Sequence, residues 1–520
     1  DVRWPDLDAG RIVYMHGGDL WLLDVNSGDD RKIDITLPTD RVCRRPHVQD
    51  ASKTLESYDL DDNGDHLLVG ARGELWVTPT KPGRIVQLTQ SSGIRERSGV
   101  FSADGKQVAF ITDQTGEQEL GLLDAAGREK PRVLTHRGQG WLFDPVWSPD
   151  GKKLAYADLT QTLFIVDVES GEVMRVDSSD VWEITDYEFS PDSQWLAYAK
   201  EESNHYRAVY LYSLADNTTR RITSAFSDDW SPTWDPRGKY LYFLSGRSIN
   251  PVMDTFDVEH ISPQAVKPCL VVLAKGGKSP LLPDELFEQE RKPPQEPADE
   301  HPESEHDDAA SAEEGEAEQG LGAGADRSWA GPAAPSDVVI ELDGIERRVV
   351  ELPVEADNYT DLHGVPGKLL YLSHPLDGLL DQDELGAPTR QAKATLHVYD
   401  FRRRKDEVLI ETLRDYTLSR DGRRIAYRVK ENILIADLDA VKDHEGGKGD
   451  KEVKERVVPS QLPLIVDPAE EWAQIFAEAW RLKRAFYWAE NMAGVDWPAM
   501  REPYGTLLPR ISTRQELNDL

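Results

Sequence analysis

Short runs of alternating apolar and polar residues recur along most of this chain, each following a turn sequence. Four runs read FSADGKQVAF, WSPDGKKLAY, FSPDSQWLAY and WDPRGKYLYF, beginning at residues 101, 147, 189 and 234. The segments LDDNG and LSRDG, beginning at residues 60 and 418, fit the same frame. The turn positions Gly64, Gly105, Gly151, Ser193 and Gly238 stand 41, 46, 42 and 45 residues apart. Such a period indicates an architecture built by repeating one small structural unit.

Each unit predicts four short β-strands. The Pro-Asp-Gly sequence suits a tight turn, because Pro fixes φ and Gly accepts a positive φ. A strand of period two follows the turn, as in residues 154–157. A second hairpin then pairs residues 163–167 with residues 173–176 across Glu169–Glu172. Four strands in about 40–45 residues is the spacing of a β-propeller blade.

The number of units predicts the architecture. Seven units are found, and they begin near Tyr58, Gly99, Asp144, Asp186, Pro232, Asn358 and Tyr416. We therefore predict a mainly β fold, with a seven-bladed propeller of four-stranded blades over residues 54–458. Residues 11–25 match an incomplete further unit, so residues 1–40 are interpreted as the last blade of a preceding propeller. Residues 41–53 are then a connector.

The period of the apolar residues becomes helical after Val458. Asp467 suits an N-cap and Pro468 suits the first helical position. Apolar residues at helical spacing then predict an amphipathic helix that runs to about Met492. A second helix is expected from Trp497, and a third after the capping-box pattern of residues 512–515. Residues 467–520 are thus predicted to begin a helical domain, and both chain ends are interpreted as cuts within a longer polypeptide.

One unit carries a long insertion, residues 284–337, that is rich in Glu, Asp, Ala, Gly and Pro. We expect it to be disordered, because this composition buries too little apolar area to offset the entropy of ordering. The chain is expected to return to strand at residues 338–342 and 348–352. The insertion holds much of the acidic excess behind the net charge of −35. Such a surface repels phosphate backbones and anionic lipids, so nucleic-acid and membrane partners are not expected.

The chain has two cysteines, Cys43 and Cys269, and neither has a second ligand nearby in sequence. We interpret them as isolated, buried thiols in a reducing cytosol. The mean hydropathy is −0.56, and no window approaches the ~18 uninterrupted apolar residues of a membrane span.

Three constellations resemble functional sites, and each has a simpler interpretation. Residues 59–65 match the first half of a calcium loop, but Gly70 stands where that loop needs a glutamate, so a blade turn is expected. Ser245 is interpreted as a strand-end residue, because the chain has no GxSxG motif. His301 and His306 lie among the acids of the insertion and are interpreted as solvated residues. No catalytic, cofactor-binding or metal-binding residue is assigned, and no cofactor is expected.

The recurring aromatic residues and the loop arginines also have structural interpretations. The aromatic residues recur with the period of the blades and are interpreted as packing between blades: Trp21, Trp76, Phe101, Trp147, Phe164, Phe189 and Trp234. Four loop arginines could face a channel, although exposed ion pairing on an acidic surface is the favoured interpretation: Arg44, Arg45, Arg95 and Arg97.

Several segments carry a family resemblance. They are EEW at 470–472, EAWRL at 478–482, YGTLLPRI at 504–511, TRQELNDL at 513–520, YLSHPLDG at 371–378 and LSGRS at 244–248. Together with the order of the parts, they resemble the tricorn proteases, a branch of the tail-specific (S41) serine peptidases. The resemblance covers essentially the whole chain, and its most specific part is the helical segment.

The resemblance implies a cytosolic homo-oligomer, a hexameric ring, that degrades oligopeptides. In such a protein two propellers gate and guide peptides to an interior site. The serine and histidine of that site would lie beyond Leu520, so the chain alone is expected to be inactive. The alternative is a non-enzymatic propeller of the TolB or WD-like sort, a protein-binding scaffold. The helical segment favours the peptidase, because a scaffold propeller closes and stops.

Overall fold

The structure is a computed structural model, and most of it consists of four-stranded antiparallel sheets. It describes these residues: 2–36, 38–138, 140–253, 259–282, 337–376, 394–441, 456–458 and 461–520. The predicted disorder of the acidic insertion and the positions of His301 and His306 lie outside the described residues.

Eight sheets contain four strands each, and strands that follow one another in the chain are paired side by side. In one of these sheets a separate hairpin is inserted between the second and third strands. The N-terminal sheet consists of β1 (Val2–Asp8), β2 (Arg11–His16), β3 (Asp19–Asp24) and β4 (Asp30–Lys32). After β5 (His47–Asp50), blade 1 consists of β6 (Leu55–Leu60), β7 (His66–Ala71), β8 (Glu74–Pro79) and β9 (Val86–Gln87). Blade 2 consists of β10 (Glu96–Phe101), β11 (Gln107–Thr112), β12 (Glu119–Asp124) and β13 (Arg132–Val133). Blade 3 consists of β14 (Val146–Trp147), β15 (Lys153–Asp158), β16 (Thr162–Asp167) and β17 (Val173–Ser178).

Blade 4 consists of β18 (Tyr187–Phe189), β19 (Trp195–Glu201), β20 (Arg207–Ser213) and β21 (Thr218–Arg221). Blade 5 consists of β22 (Asp229–Trp234), β23 (Tyr240–Ser245), β26 (Lys267–Val272) and β27 (Val349–Glu351), with the hairpin β24 (Val252–Met253) and β25 (His260–Ile261) inserted. Blade 6 consists of β28 (Asn358–Val365), β29 (Lys368–His374), β30 (Ala394–Asp400) and β31 (Lys405–Leu413). Blade 7 consists of β32 (Tyr416–Leu418), β33 (Arg424–Val429), β34 (Asn432–Asp437) and β35 (Arg456–Val458), and β36 (Pro463–Val466) follows.

The repeated turn between the first and second strands is held by its own side chains. In blade 3, Ser148 Oγ donates to Asp150 Oδ1 at 2.6 Å and accepts from the Lys153 N–H at 2.9 Å. Gly151 has a φ of +70°, which a residue with a Cβ adopts only under strain. Blades 2, 4 and 7 repeat the serine–aspartate hydrogen bond. The motif therefore specifies this turn locally, before any contact between blades.

The seven blades close into a ring. Seven apolar clusters each join two neighbouring blades, and the cluster around Trp76 joins blade 1 to Ile433 and Ile435 of blade 7. Each blade keeps its own four strands, so side chains rather than a shared strand close the ring. At that seam the Tyr58 hydroxyl donates to Asp415 Oδ1 at 2.5 Å. The predicted seven-bladed fold is confirmed.

The aromatic residues act as predicted within the ring. Trp147 Nε1 donates to the Val100 carbonyl at 3.1 Å, and Trp234 Nε1 donates to the Glu188 carbonyl at 3.1 Å. Each tryptophan therefore packs between two blades while its one polar group is satisfied by the preceding blade. Trp21 is the exception, because it lies in the N-terminal sheet and is only half-buried.

Four details of the sequence prediction need correction. The N-terminal unit is a complete four-stranded sheet, not a partial one. Residues 338–342 form no strand, although Val338 and Ile340 pack on the core of blades 4 and 5, and only Val349–Glu351 pairs with β26. The first helix ends at Ala485 rather than near Met492. Cys43 is exposed, and only Cys269 is buried.

The chain enters and leaves the ring side by side. β5 pairs antiparallel with β36, with Val48 opposite Ile465, and the Ala51 N–H donates to the Leu462 carbonyl at 2.8 Å. Three helices follow: α1 (Pro468–Ala485), α2 (Trp497–Gly505) and α3 (Arg514–Asp519). Asp467 caps α1 as predicted, whereas the capping box of α3 uses Thr513 and Glu516, one residue later than predicted. Among the described residues, no helix is long and apolar enough to cross a membrane.

Candidate functional site at the helix-covered face and the axial channel

Helix α1 lies on blades 1 and 2, on the face that carries the loops between second and third strands. Arg481 forms an ion pair with Asp113 of blade 2, and the exposed fractions of the two side chains are only 11% and 6%. Gln474 Nε2 donates to the same carboxylate oxygen, Asp113 Oδ2, at 3.0 Å. Arg484 Nη2 donates to Glu117 Oε2 at 2.6 Å. The helix is therefore fixed to blade 2 by charged groups that have largely lost their water.

A second group of ion pairs fixes the start of α1 to blade 1 and to the loop before blade 2. Arg72 Nη2 lies 2.8 Å from Glu471 Oε1. Arg95 Nη1 donates to Glu478 Oε1 at 2.5 Å, and its Nη2 donates to Glu56 Oε2 at 2.9 Å. Two arginines of the ring thus each pair with a glutamate of the helix, and Glu56 of the ring gives Arg95 a second opposite charge.

The loop arginines are mostly interface residues, which corrects the favoured sequence interpretation. Arg97 is buried, its guanidinium stacks on Trp141 at 3.9 Å, and it donates to the Leu142 carbonyl at 2.6 Å. Burial lowers the pKa of Arg97 to about 10. Arg44 donates to the Pro509 carbonyl beside α3 at 2.5 Å. Of the four arginines only Arg45 is exposed, and it donates to the Asp40 carbonyl at 3.4 Å. Sequence spacing could not show these contacts, because their partners are separated by up to hundreds of residues.

A cavity of about 760 Å³ lies between α1, α3, blade 1 and the strands that enter and leave the ring. Its lining includes Cys43, His47, Arg95, Leu464, Trp472 and Arg514. Carboxylates of both the ring and the helix line it as well, namely Glu56, Glu74, Glu471 and Glu478. The cavity is thus bounded by the same residues that hold the helical segment on the ring.

Two buried carboxyl groups lie at the base of this interface. Glu74 accepts from Thr89 Oγ1 at 2.6 Å and from the Ser91 N–H at 2.7 Å. Glu96 bonds the Ser91 hydroxyl at 2.9 Å. Burial, and then the neighbouring Glu74, raise the pKa of Glu96 to about 8. Glu96 therefore keeps its proton at neutral pH, as a hydrogen-bonding group rather than as a charge.

Two buried carboxyl groups stand at equivalent positions of the first strands of blades 1 and 4. Asp59 of blade 1 accepts from the Phe101 N–H of blade 2 at 2.8 Å. Glu188 of blade 4 stands at the same register position, directly before the aromatic or leucine that ends the strand. Burial raises the pKa of Asp59 to about 6 and that of Glu188 to about 7, with hydrogen bonds opposing the rise. Both acids thus titrate close to neutral pH.

The structure shows where the three candidate constellations of the sequence lie. Residues 61–65 form the turn between β6 and β7, where His66 Nδ1 lies 2.7 Å from Asp61 Oδ2, so the turn interpretation is confirmed. Ser245 ends β23 fully buried, and its hydroxyl donates to Asp229 Oδ1 at 2.5 Å and accepts from Arg247 Nε at 2.6 Å. Within the described residues, no group of three His, Cys, Asp or Glu side chains is placed to hold a metal ion.

Sequence reasoning missed one hydrogen-bonded chain in blade 6. Ser373 Oγ lies 3.0 Å from His397 Nε2, and His397 Nδ1 lies 3.1 Å from Asp406 Oδ2. The Tyr371 hydroxyl donates to the other Asp406 oxygen at 2.6 Å, and its ring stacks on His397. The order of groups is that of a serine hydrolase, but Ser373 is only 9% exposed and the groups bridge three paired strands. The chain therefore ties the blade together, and no sequence motif signals it.

A ring of seven blades with a helical segment fixed on one face defines a propeller module joined to a helical domain. The family model described as the second β-propeller domain of tricorn protease matches residues 55–439. The model described as the tricorn protease C1 domain matches residues 468–520. The chain belongs to the tricorn protease family.

Individual relatives agree with this assignment. The chain is 30% identical over 529 residues to Tricorn protease homolog 1 of Streptomyces coelicolor, covering 100% of this chain and 46% of that protein. It is 27% identical over 516 residues to the Tricorn protease homolog of Saccharolobus solfataricus, covering 99% of this chain and 42% of that protein. A crystal structure of the tricorn protease superimposes with a TM-score of 0.76 at 23% identity, over 99% of this chain and 45% of that one. The chain thus spans less than half the length of these relatives.

Proposed function

We propose that this chain is the propeller and the first helical part of a tricorn-like serine peptidase that degrades oligopeptides. The observation that carries the proposal is the helical segment, which is fixed to the ring by the buried Arg481–Asp113 pair. A ring that served only as a scaffold would gain nothing from a helix held this firmly over one face. The ring would instead carry a helical domain in a fixed position relative to its axis.

In this proposal the propeller gates or guides peptides, and the catalytic residues lie outside the chain. The N-terminal sheet, within residues 1–40, would be the last blade of a preceding propeller, and residues 41–53 would be the connector. Arg510, which bonds Asp19 on this sheet, would then set the position of one propeller relative to the helical domain. A cytoplasmic location and a ring-shaped homo-oligomer, a hexamer, belong to the same proposal.

The test separates peptide binding from peptide cleavage. Fluorescent oligopeptides of about ten residues should bind the chain of residues 1–520, and short fluorogenic peptides should show no turnover with it. Turnover that survives repurification would contradict the proposed position of the catalytic residues. A chain that binds folded proteins but no oligopeptides would favour the scaffold alternative.

A further inference from the structure

An open groove of about 510 Å³ lies on blade 3, beside the turn between its second and third strands. The residues of that turn and the end of β17 line it, together with Arg137 from the loop that precedes the blade. Arg137 and Arg175 are the two bases of this lining, and Asp180 is its one acid among the described residues. An excess of basic residues is unusual in a chain whose net charge is −35.

Both arginines of the groove lie against one aromatic ring. The Arg137 Cζ atom lies 4.0 Å from the centre of the Phe164 ring. Arg175 stands directly opposite Phe164 in the pairing of β16 and β17, and side chains paired in this way lie on the same face of a sheet. Arg175 also donates to the Ser178 hydroxyl at the end of β17. Two guanidinium groups therefore lie close together, although like charges repel.

The two arginines differ in their acidic partners. Burial raises the pKa of Asp158, and the charge of Arg137 is among the effects that oppose this rise. Arg175, within the part of the chain that the structure describes, bonds the Ser178 hydroxyl and forms no ion pair. The arginines that hold α1 on the ring, by contrast, each have a carboxylate partner. The remaining N–H groups of Arg175 suit an oxyanion, and the guanidinium fork matches a carboxylate in geometry.

Three exposed aromatic residues follow the groove across blade 4, with exposed fractions of 63%, 46% and 93%: Trp182, Tyr206 and Phe226. Ser179, which lines the groove, donates from its hydroxyl to the Glu201 carbonyl at 3.3 Å. This bond joins the loop of the first aromatic residue to the strand that leads to the second. Asn204 Nδ2 donates to the Ala225 carbonyl at 3.0 Å and joins the loops of the second and third. Exposed aromatic residues on adjoining loops are typical of interaction surfaces.

The groove and the aromatic residues lie on the face of the ring that carries α1. Their loops connect second to third strands or one blade to the next, and α1 contacts a loop of the first kind at the Gly116 carbonyl of blade 2. Phe486, directly after α1, packs edge-to-face on Trp141 in the loop before blade 3, with ring centres 6.2 Å apart. The surface of blades 3 and 4 therefore begins where the cover of α1 ends, and the described residues leave it open.

We propose that this surface of blades 3 and 4 binds oligopeptides that carry an acidic residue beside apolar ones. Arg175 and Arg137 bind the carboxylate, and Trp182, Tyr206 and Phe226 take the apolar side chains. An acidic residue is favoured at the groove, because the arginines attract it while the acidic remainder of the chain repels it elsewhere. The inference rests on the proposed function and adds the class of peptide and the place where it binds.

Equilibrium binding of labelled peptides to the chain of residues 1–520 tests the proposal. One probe carries adjacent glutamate and phenylalanine in a glycine–serine background, and its partner carries lysine in place of the glutamate. Fluorescence anisotropy measures the affinity of each peptide. The glutamate peptide should bind roughly tenfold more tightly than the lysine peptide.

Four variants locate the binding. Arg175→Gln should weaken binding of the glutamate peptide by roughly tenfold, because a charge-assisted hydrogen bond is lost, and should not weaken binding of the lysine peptide. Arg175→Lys keeps the charge without the guanidinium fork and should recover part of the loss. Trp182→Ala should weaken both peptides by roughly fivefold, since both keep the phenylalanine. Arg128→Gln is the matched control, because Arg128 is exposed in a loop between third and fourth strands, on the opposite face.

Inorganic phosphate separates a peptide site from a site for free anions. Phosphate that displaces the glutamate peptide but not the lysine peptide would support an oxyanion site within the peptide surface. Phosphate binding that depends on Arg175, combined with peptide affinities that do not, would overturn the oligopeptide as the occupant.

Equal effects of Arg175→Gln and Arg128→Gln on the glutamate peptide would overturn the carboxylate site. Full affinity of Trp182→Ala for both peptides would overturn the aromatic part of the surface. In both cases oligopeptides still bind the chain, so the proposed function stands. Failure of every oligopeptide to bind would instead contradict the proposed function itself.

Discussion

The N-terminal sheet and blade 1 have nearly the same sequence pattern and very different environments. Their third strands read DLWLLD and ELWVTP, and each is paired antiparallel with the strand before it. Trp76 of blade 1 is 1% exposed, because the core of blade 7 covers it. Trp21 occupies the same position in the N-terminal sheet and is only half-buried.

This contrast separates what a single unit specifies from what its neighbours supply. The alternation of residues and the turn motif specify a blade, and both sheets form one. Burial depends on a neighbouring blade on each side, which the ring supplies to blade 1. Val2, Trp4 and Leu7 are exposed along β1 of the N-terminal sheet. In the ring, a neighbouring blade covers the equivalent first strands. Blade 1 should therefore be much more stable than the N-terminal sheet, although their sequence patterns are similar.

Truncating the tryptophan at the two equivalent positions should give the largest difference in the free energy of unfolding. Trp76→Ala should destabilise the ring by about 4 kcal/mol, because it removes a large buried side chain and leaves a cavity. Trp21→Ala should destabilise the chain by about 1 kcal/mol, since much of its area is already in water. Urea unfolding followed by circular dichroism measures both. Equal losses at the two positions would contradict the contrast between ring and N-terminal sheet.

The helical segment offers a matched pair of arginines, one bound to each region. Arg481 pairs with the buried Asp113 of blade 2, so Arg481→Ala should cost about 3 kcal/mol by leaving a buried carboxylate unpaired. Arg510 pairs with the more accessible Asp19 of the N-terminal sheet, and Arg510→Ala should cost less than about 1 kcal/mol. The measurement is thermal unfolding, together with the rate of proteolysis within α1. A larger loss of stability for Arg510→Ala than for Arg481→Ala would contradict the view that Arg481 makes the main contact fixing the helical segment.

The stability of the ring and the docking of the helical segment on the N-terminal sheet should change with pH in opposite directions. The pKa of Glu96 is raised to about 8, so the folded ring holds a proton that the unfolded chain loses at lower pH. Its stabilising contribution is present at acidic pH and is lost as pH rises towards 8. Glu96→Gln should therefore stabilise the ring at pH 9, by on the order of 2 kcal/mol, and have little effect at pH 5.

Asp19 supplies the contrast. Hydrogen bonds from Arg510 and then Lys32 lower its pKa, so its contribution is present at neutral pH and is lost as pH falls through the lowered value. Asp19→Asn should weaken docking of the helical segment at pH 7, and its effect should diminish as the pH falls through the lowered pKa of Asp19. Unfolding curves at three pH values test both residues, and a pH-independent effect of Glu96→Gln would contradict a protonated Glu96.

The most local effect is expected at the cap of α3. Thr513 Oγ1 accepts from the Glu516 N–H at 3.2 Å. In return, Glu516 Oε2 accepts from the Thr513 N–H at 3.0 Å. Thr513→Ala should cost about 1 kcal/mol, confined to the last helix. Thr513→Ser keeps the hydroxyl and is the control. Hydrogen exchange in residues 514–519 measures the effect, and equal exchange in both variants would count against the capping box.

Local signals in the sequence predicted most of the fold. The Ser-x-Asp-Gly turn and the period of two depend on residues a few positions apart, and the N-cap Asp467 depends on its immediate neighbours. Residues 338–342 were predicted wrongly because an alternating apolar segment can pack against a core without pairing. The helix end at Ala485 was missed because the aromatic residues beyond it continue the apolar pattern.

The candidate site was less predictable, because it depends on long-range contacts. Arg95 and Glu478 are 383 positions apart, and the sequence around either residue does not indicate its partner.

Hydrogen exchange of the intact chain tests the central claim most directly, namely that seven blades form one covered ring while the N-terminal sheet stands outside it. The amides of His66–Ala71 and those of Arg11–His16 occupy equivalent second strands and are compared in the same sample. The account predicts that His66–Ala71 exchange only with unfolding of the ring, and that Arg11–His16 exchange orders of magnitude faster. Equal protection of the two strands would contradict it.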